Sequence, residues 1–407
     1  MKRDSKTLFI LKSQKSRHFF LIACGVFVFF ILGFNYRKKT TLHKRVHEEN
    51  IFSHVIAKKH FPEWMMTQID SDLSPFKKFG VSKQVIDKAL ESYLKSDLGP
   101  DNHLELARCQ IQNGTVSIHG LYPTKKTESR LYVVLQALTK LTHLVPIPDI
   151  DFIICVGDSL NPKATSFFTD VPVLCFSKNI QDRSSVLIPD CEALSEGFHE
   201  RVLADTAYGR EYFCWCKKQE KAFWRGATTG TDTAGSYYLS SSNYQEFPRI
   251  KLVMLSSLYS HLIDAKLSSL AQIVDPSIYG ALAPYVGPSV PVIDHLKYKY
   301  QILVDGNTCA YSRAFWQLFS DCLIFKQTSP NIQWYYNCLQ PYIHYIPVAY
   351  DFSDLVEKIE WAKNHDKEAK KITDTANSFA QENLKKEDVY LYMYLFIHKY
   401  AELFQNE

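Results

Sequence analysis

The sequence predicts an α/β fold with two Rossmann-like domains that face a cleft, preceded by one N-terminal transmembrane helix. Three observations support this prediction. The chain has 407 residues, about the length of two domains of typical size. From residue 150 onward, short apolar runs bounded by Pro, Gly and Asp alternate with amphipathic helical stretches, as in parallel sheets covered by helices. An apolar run near the amino terminus can just reach across a bilayer.

That apolar run, at 19–34 (FFLIACGVFVFFILGF), predicts a membrane anchor between a basic tail at 1–18 and a basic stalk at 35–60. Its 16 residues are slightly short for a spanning helix, and snorkelling basic residues absorb such a shortfall. A cleaved signal peptide is the alternative, but no small-residue cleavage site follows Phe34. Basic residues flank both ends, so the orientation stays open: the cytoplasmic face in a bacterium, or the Golgi or ER lumen in a eukaryote.

The rest of the chain divides into predicted domains at 61–215 and 216–385, followed by a final helix at 386–407 that can pack back on the first domain. Residues 61 to 145 read as mostly helical. The predicted strands are the apolar runs at 151–156, 171–176, 300–304, 323–325 and 342–348. Helical patterns also occupy 249–267 and 353–364. Because ligands of parallel sheets bind beyond the carboxyl ends of the strands, chemistry is expected in the loops that follow these runs.

Charge and cysteine content exclude some classes of function. The net charge of +4 is small and much of it lies in the basic tail, so no nucleic-acid-binding stripe is present. A single apolar span cannot enclose a transport pathway. Ten cysteines leave the redox compartment open, and the one close pair in the sequence is Cys214 and Cys216. A C-x-C without a matching His or Cys pair is a poor zinc signature, so buried thiols are the simpler interpretation.

The segment 151–158 (DFIICVGD) places a carboxylate at the predicted cleft. Five apolar residues form a buried strand, Gly157 allows a tight turn, and Asp158 follows at the mouth of the cleft. A carboxylate in that position can take a proton from an attacking hydroxyl. The alternative is an Asp that only caps the next turn.

The segment 223–230 (FWRGATTG) has the features of a phosphate cradle. Gly226 and Gly230 allow close backbone approach, the threonines offer hydroxyls, and Arg225 presents a planar fork that suits phosphate oxygens. The segment is neither a Walker loop nor a G-x-G-x-x-G motif, so a simple turn is the alternative.

The segment 305–313 (DGNTCAYSR) is a predicted turn between a strand and a helix. Free backbone N–H groups at a helix start attract anions, and Arg313 brings a cation to the same first turn. Because a cation there is otherwise disfavoured, Arg313 becomes a candidate anion-binding residue, and Asp305 and Ser312 of the same segment are candidates for the same site. An exposed surface arginine is the alternative.

Two Asp-x-Asp strings, at 70–72 and 149–151, are the candidates for a metal site. Neither follows a strand, as a metal-ligand pair would, so both are interpreted as solvated turns. If arginines neutralise a diphosphate, no divalent ion is needed, and we expect no metal and no other cofactor.

Taken together, the ordered strings of this chain resemble glycosyltransferase family 90, which includes capsule-associated xylosyltransferases, lipopolysaccharide-modifying enzymes and Rumi-type protein O-glucosyltransferases. The resemblance covers roughly 105–405. The strings are PDIDFIICVGD, PVLCFSK, VLIPD, FWRGATTG, HLKYKYQILVDGN, SRAFWQLFSDCLIFKQ and the segment 334–366.

This resemblance implies a GT-B fold and inverting, metal-free transfer of a glucose- or xylose-type sugar from a UDP-sugar to a hydroxyl of a glycan, lipopolysaccharide or protein. It places the general base on Asp158. It places donor diphosphate contacts on Arg225, Gly226, Ala227, Thr228 and Thr229. Arg313 is the nearest match to a further family arginine, although many members read S-x-R-F where this chain has SRAF.

Two expectations concern the biological setting. The terminal FQNE lacks the retention signal of the lumenal glucosyltransferases, which favours a bacterial-type glycan-modifying enzyme. The alternative to an enzyme is an inactive membrane-anchored scaffold or glycan-binding protein of the same fold. The predicted partners are the UDP-sugar, the acceptor and, through 19–34, the membrane.

Overall fold

The computed structural model describes residues 61–96, 98, 105–120 and 125–404. All of them belong to one of the two units of the chain, at 61–407. The predicted basic tail, anchor and stalk, at 1–60, lie outside the described residues. Over the described ranges, every helix is too short or too polar to cross a membrane.

Twelve strands and twelve helices, with several 3₁₀ turns, make up the described part. The strands are β1 Leu106–Gln112, β2 Thr115–Ile118, β3 Ile150–Cys155, β4 Val173–Cys175, β5 Lys178–Asn179, β6 Ser185–Leu187, β7 Gln219–Ala227, β8 Ile263–Ser269, β9 Tyr298–Leu303, β10 Leu323–Gln327, β11 Asn331–Ile332 and β12 Ile346–Val348. The helices are α1 Glu63–Leu73, α2 Lys83–Leu94, α3 Lys125–Leu144, α4 Cys191–Leu194, α5 Phe198–Tyr212, α6 Pro248–Leu258, α7 Tyr279–Leu282, α8 Val292–His295, α9 Tyr311–Leu318, α10 Leu355–Asn364, α11 Asp366–Asn383 and α12 Lys386–Ala401.

The first sheet has the order β2-β1-β3-β4-β6. Strands β3, β4 and β6 run parallel, while β1 pairs antiparallel with both β2 and β3. Every residue of β3 is buried, as expected for a central strand with helices on both faces. The apolar run that predicted this strand is therefore confirmed as the centre of the sheet.

The second sheet is fully parallel, with the order β12-β10-β9-β7-β8. Helix α6 connects β7 to β8, and α9 connects β9 to β10. The prediction of one helix over 249–267 was wrong in its second half, because the helix ends at Leu258 and β8 occupies Ile263–Ser269. The prediction of a loop at 223–230 was also wrong, since β7 extends through Ala227. Mixed α/β architecture with parallel sheets is as predicted.

Helix α12 packs on the first sheet and on α1. The Tyr392 hydroxyl donates to the carbonyl of Leu187 at 3.2 Å, and the Tyr400 hydroxyl donates to that of Asp151 at 3.0 Å. The last helix of the described chain, α12, therefore forms part of the same core as α1 and the first sheet.

Candidate active site

Asp158 lies three residues beyond β3, where the chain leaves the carboxyl edge of the first sheet. A Cβ atom at position 157 would lie 2.1 Å from Oε2 of Glu105, so a larger residue there would require the Glu105 side chain to move. The Asp158 side chain is 35% exposed, so its carboxylate can be reached from solvent. The sequence expectation that this carboxylate stands at a cleft agrees with its position.

Two side chains orient the Asp158 carboxylate. Arg130 of α3 donates from Nη1 to Oδ1 at 3.1 Å, and Asn307 donates from Nδ2 to Oδ2 at 3.0 Å. Asn307 follows β9 in the second sheet, and its Oδ1 accepts a hydrogen bond from the Gly230 N–H at 3.2 Å. The carboxylate is therefore held by a helix residue, Arg130, and by Asn307, which follows a strand of the second sheet.

The backbone of Asp158 is held by the second sheet as well. Its carbonyl accepts hydrogen bonds from Ser177 Oγ at 2.8 Å, from Thr308 Oγ1 at 3.2 Å, and from the Tyr311 hydroxyl. Thr308 and Tyr311 belong to the β9–α9 connection. Both ends of this aspartate are thus anchored, which preorganises it for a role in chemistry.

A cavity of about 290 Å³, here called the arginine cavity, opens on one side of Asp158. Its lining residues come from five places: the turn and first residues around α9, the segment after β7, the start of α4, the start of α6, and Asp158 after β3. They include Asp158, Glu192, Thr229, Arg249, Asn307, Ser312 and Arg313. The amino-terminal end of α9 faces this space, an arrangement that favours anions, although the Ser312 N–H already donates to Glu192 Oε2 at 3.0 Å.

Two half-buried arginines, Arg249 and Arg313, give the arginine cavity its charge. Arg249 donates to the carbonyls of Asp305 at 2.8 Å and Ala227 at 3.1 Å, and to Thr229 Oγ1 at 2.7 Å. Arg313 donates to the carbonyl of Arg225, and its Nη1 has no hydrogen-bond partner. No described carboxylate forms an ion pair with either guanidinium.

The pKa values of Arg249 and Arg313 are both lowered, which shows that their charged forms are disfavoured at these positions. Burial, together with the neighbouring positive charge of Arg313, lowers the pKa of Arg249 to about 9, although the Asp305 and Asp158 carboxylates act in the opposite direction. Burial likewise lowers the pKa of Arg313 to about 10. Both guanidiniums are partly removed from water, and nearby carboxylates, those of Asp305 and Asp158, act to raise the pKa of Arg249 only. An anionic ligand in this cavity would therefore stabilise the two cations.

The predicted diphosphate contact Arg225 points elsewhere. Its Nη2 pairs with Asp264 Oδ1 at 2.8 Å, its Nη1 donates to the carbonyls of Asp264 and Trp224 at 2.9 Å, and its guanidinium lies 4.2 Å from the ring centroid of Phe223. The reason is its place in β7, where side chains alternate between the faces of the sheet. Its role as a donor contact stays a prediction.

The other predicted residues of this segment divide into two groups. A Cβ atom on Gly226 would lie 2.4 Å from the Trp224 ring, so this glycine is required for packing. Thr228 is buried and donates to the carbonyl of Ala271 at 2.7 Å. Ala227 and Thr229 instead hold Arg249, and Thr229 lines the arginine cavity.

In the third predicted segment, Ser312 and Arg313 line the arginine cavity and Asp305 does not. The Asp305 carboxylate accepts hydrogen bonds from Ser329 Oγ at 2.5 Å and from Asn331 Nδ2 at 3.0 Å. Only its carbonyl faces the site, where Arg249 binds it. The structure therefore brings together Asp158, Thr229, Ser312 and Arg313.

A second cavity of about 210 Å³, here called the tyrosine cavity, lies on another side of Asp158. Its lining includes Tyr93 of α2, Glu105 just before β1, Asn161 in the connection after β3, and Tyr237 in the loop that follows β7. Asp158 and Asn307 border both cavities. One carboxylate thus faces two separate binding spaces.

Tyr237 is held over the tyrosine cavity by the loop 230–247. Asp232 Oδ1 accepts the Ser236 N–H at 2.8 Å, and Asn243 Nδ2 donates to Asp232 Oδ2 at 2.8 Å. Burial raises the pKa of Tyr237, and the Asp158 and Glu105 carboxylates raise it further. The phenol therefore stays protonated, and it can donate a hydrogen bond to a ligand.

Comparison with known proteins assigns the chain to a protein family. The family model described as glycosyl transferase family 90 matches residues 58–407, far more than half of the chain. The chain belongs to glycosyl transferase family 90. The predicted resemblance is thereby confirmed, and the family match spans both sheets and both cavities.

Curated relatives of this family 90 chain carry the name protein O-glucosyltransferase. Protein O-glucosyltransferase 2 of Danio rerio is 33% identical over 347 residues, which are 83% of this chain and 62% of that protein. Protein O-glucosyltransferase 3 of Homo sapiens is 30% identical over 274 residues, 66% of this chain and 50% of that protein. Protein O-glucosyltransferase 1 of Homo sapiens is 24% identical over 348 residues, which are 82% of this chain and 79% of that protein. The chain spans less than two thirds of the length of the first two.

Sequence reasoning missed several residues of this family 90 site, chiefly Arg249 and Asn307. Arg249 stands in the first turn of α6, directly after Pro248, and so carries the same signal that singled out Arg313. Asn307 had no signal of its own, because its importance comes from contacts across 149 residues of sequence with Asp158.

The two Asp-x-Asp strings of the family 90 chain are not solvated turns. Asp72 is buried and pairs with Lys178 at 2.7 Å, and Asp151 is buried and pairs with Arg108 at 2.8 Å. That interpretation was wrong for one aspartate of each string, because Asp72 and Asp151 are buried and each pairs with a cation. Across the described residues, no three His, Cys, Asp or Glu side chains are grouped so that they could hold a metal ion.

Proposed function

We propose that this family 90 chain is an inverting glycosyltransferase that moves a glucosyl group from UDP-glucose to a hydroxyl of a protein acceptor. The single observation that carries the proposal is the position of Asp158. Its carboxylate borders the arginine cavity on one side and the tyrosine cavity on the other. In the proposal the leaving group occupies the arginine cavity and the acceptor occupies the tyrosine cavity, because in an inverting transfer the base and the leaving group act from opposite sides of the reacting carbon.

In this proposal Asp158 is the general base. It accepts the proton of the acceptor hydroxyl as the oxygen attacks the sugar. Arg130 and Asn307 keep its two oxygens in place through hydrogen bonds of 3.1 and 3.0 Å. A positioned base of this kind typically contributes about 100- to 10,000-fold to the rate.

The arginine cavity is the proposed diphosphate site. As the bond to the sugar breaks, negative charge grows on the leaving UDP, and Arg249 and Arg313 are already fixed beside that charge. Buried donors that need no reorganisation are the most effective stabilisers of such charge. Because these two cations supply the neutralisation, the proposed reaction needs no divalent metal and no cofactor besides the UDP-sugar.

The two sheets are proposed to correspond to the two Rossmann-like domains of a GT-B fold. The donor would then belong with the second, fully parallel sheet, and the acceptor with the first. The predicted boundaries at 61–215 and 216–385 and the single-pass anchor at 19–34 are part of the same proposal.

The names of the relatives support the choice of sugar and acceptor. Those compared above are protein O-glucosyltransferases, which favours glucose over xylose and a protein hydroxyl over lipopolysaccharide. The expectation of a bacterial-type glycan-modifying enzyme finds no support in those names.

A nucleotide-release assay tests the proposal. Purified protein is incubated with UDP-glucose, UDP-xylose and other UDP-sugars, and free UDP is measured with and without acceptor protein. We expect release with UDP-glucose that Asp158→Asn abolishes. Equal release by the wild type and this variant contradicts the base assignment, and UDP binding without any release from any donor favours the inactive scaffold.

A further inference from the structure

Cys214 and Cys216 lie side by side on the linker between the two sheets. This linker, residues 213–218, joins the end of α5 to the start of β7. The two Sγ atoms are 3.2 Å apart. Cys216 is exposed and Cys214 is half-buried, so both thiols are within reach of small molecules.

Trp215 fixes the backbone between the two thiols. Its indole N–H donates to both carboxylate oxygens of Asp366, at 3.0 and 3.1 Å. Its ring lies 5.1 Å from Lys299 Nζ and 5.8 Å from Lys370 Nζ, measured to the centroid. Because this side chain is anchored on α11 and β9, the flanking cysteines are held as neighbours.

The two thiols are chemically different. The hydrogen bond from Cys216 lowers the pKa of Cys214, and the Lys217 ammonium acts in the same direction. The same contact raises the pKa of Cys216. Since the thiolate is the reactive form of cysteine, Cys214 is the better nucleophile of the pair.

We propose that Cys214 and Cys216 form a dithiol site that exchanges with low-molecular-weight disulfides such as oxidised glutathione. The Cys214 thiolate attacks one sulfur of the disulfide, a mixed disulfide forms, and one glutathione thiolate leaves. Cys216 loses its proton and attacks the Cys214 sulfur, which closes the protein disulfide and releases the second glutathione. The protein loses two electrons and two protons, and the oxidised glutathione gains them.

Metal binding is the competing use of such a pair, and the structure disfavours it. In the part of the chain that is described, no third His, Cys, Asp or Glu joins these two thiols in a metal-binding group. A disulfide between them is exposed, and exposed disulfides are typically the easily reduced ones. The site is therefore reversible, and it does not depend on the proposed sugar transfer.

Mass spectrometry of one peptide tests this inference on the full chain. Trypsin cleaves after Arg210 and Lys217, so both thiols fall on the peptide 211–217 (EYFCWCK), which has no other cysteine. Reduced protein is treated with oxidised glutathione, blocked with iodoacetamide and digested. We expect this peptide to be two hydrogens lighter, without alkylation, and to recover both alkylation sites after dithiothreitol.

Two variants complete the experiment. In Cys216→Ser, the second step is impossible, so glutathione remains attached to Cys214. In Cys338→Ser, the change is at a half-buried cysteine outside the pair, and the peptide 211–217 behaves as in the wild type. The proposal is overturned if the wild-type peptide carries glutathione to the same extent as Cys216→Ser, or if both thiols remain open to alkylation throughout.

Discussion

The amide of Asn307 donates a hydrogen bond to the carboxylate of Asp158 across 3.0 Å and accepts one from the Gly230 N–H across 3.2 Å. Asn307 borders both cavities, so this one side chain connects the proposed base, the proposed donor site and the loop that carries Tyr237. It therefore connects a residue at the carboxyl edge of the first sheet with two segments that follow strands of the second sheet.

We therefore expect Asn307→Ala to impair chemistry more than binding. Loss of a hydrogen bond to a charged group costs about 1.5–3 kcal/mol, which corresponds to a fall in kcat of about 10- to 100-fold. The UDP affinity should change little, since Arg249 and Arg313 remain. Steady-state kinetics with calorimetric titration of UDP checks this, and a loss confined to UDP affinity would speak against it.

Asp158→Asn removes the proposed base and keeps its shape. We expect turnover to fall by about 100- to 10,000-fold, with nearly unchanged UDP affinity, because the amide cannot accept the acceptor's proton. Thermal unfolding of the variant serves as the folding control. Wild-type turnover in this variant would remove Asp158 from the mechanism.

Arg249→Gln tests the charge of the arginine cavity. Loss of the guanidinium should raise the Kd of UDP by about 10- to 100-fold, because charge-assisted hydrogen bonds contribute about 1.5–3 kcal/mol. Arg225→Gln is the matched variant on the same sheet, and its main effect should be on stability through Asp264 and Phe223. If Arg225→Gln weakens UDP binding more than Arg249→Gln, the sequence-based assignment is the better one.

Tyr237→Phe removes the hydroxyl that faces the tyrosine cavity. We expect a higher KM for the acceptor and an unchanged Kd for UDP, since only the acceptor side loses a hydrogen-bond donor. Tyr238→Phe is the matched control, because Tyr238 is the next residue of the same loop and is 58% exposed. Identical acceptor kinetics for both variants would exclude a role of the Tyr237 hydroxyl.

Asp190 predicts a pH dependence of stability. It is buried at the start of α4, where it accepts the N–H groups of Glu192 and Ala193, and burial followed by the Glu192 charge raises its pKa from 3.8 to about 7. Between these two pKa values the folded state keeps a proton that the unfolded chain has already released. The contribution of Asp190 to the stability of the folded state is therefore full below about pH 4 and is lost as the pH rises through 7.

Asn at position 190 preserves the cap without the ionisation. We expect Asp190→Asn to be more stable than the wild type at pH 8, with a smaller difference at pH 5. Urea unfolding at both pH values measures this. A stability difference that does not vary with pH would show that Asp190 ionises equally in both states.

The sequence was most informative where one local pattern decides the structure. The apolar run of β3, followed by Gly157, locates Asp158 because a buried strand must end at the edge of its sheet. The alternation in β7 was missed because the glycine- and threonine-rich segment 226–230 resembles a loop. As a consequence Arg225 was expected in the cavity, although a strand residue points to a face of the sheet.

Contacts across long stretches of sequence could not be predicted. Arg313 and Arg249 share one cavity although they are 64 residues apart in the chain, and only the order of strands brings them together. Tyr237 depends on a loop whose shape is set by the side-chain network of Asp232 and Asn243. Such networks have no periodicity that a sequence pattern can reveal.

The packing of α12 has a consequence for synthesis of the chain. The first sheet lacks the partners of its Leu187 and Asp151 carbonyls until Tyr392 and Tyr400 have been translated. The amino-terminal half therefore leaves the ribosome with part of its core uncovered. That part stays exposed until the second sheet and α12 have been synthesised. A ribosome stalled shortly before residue 386 should expose a nascent chain that chaperones recognise by this apolar surface.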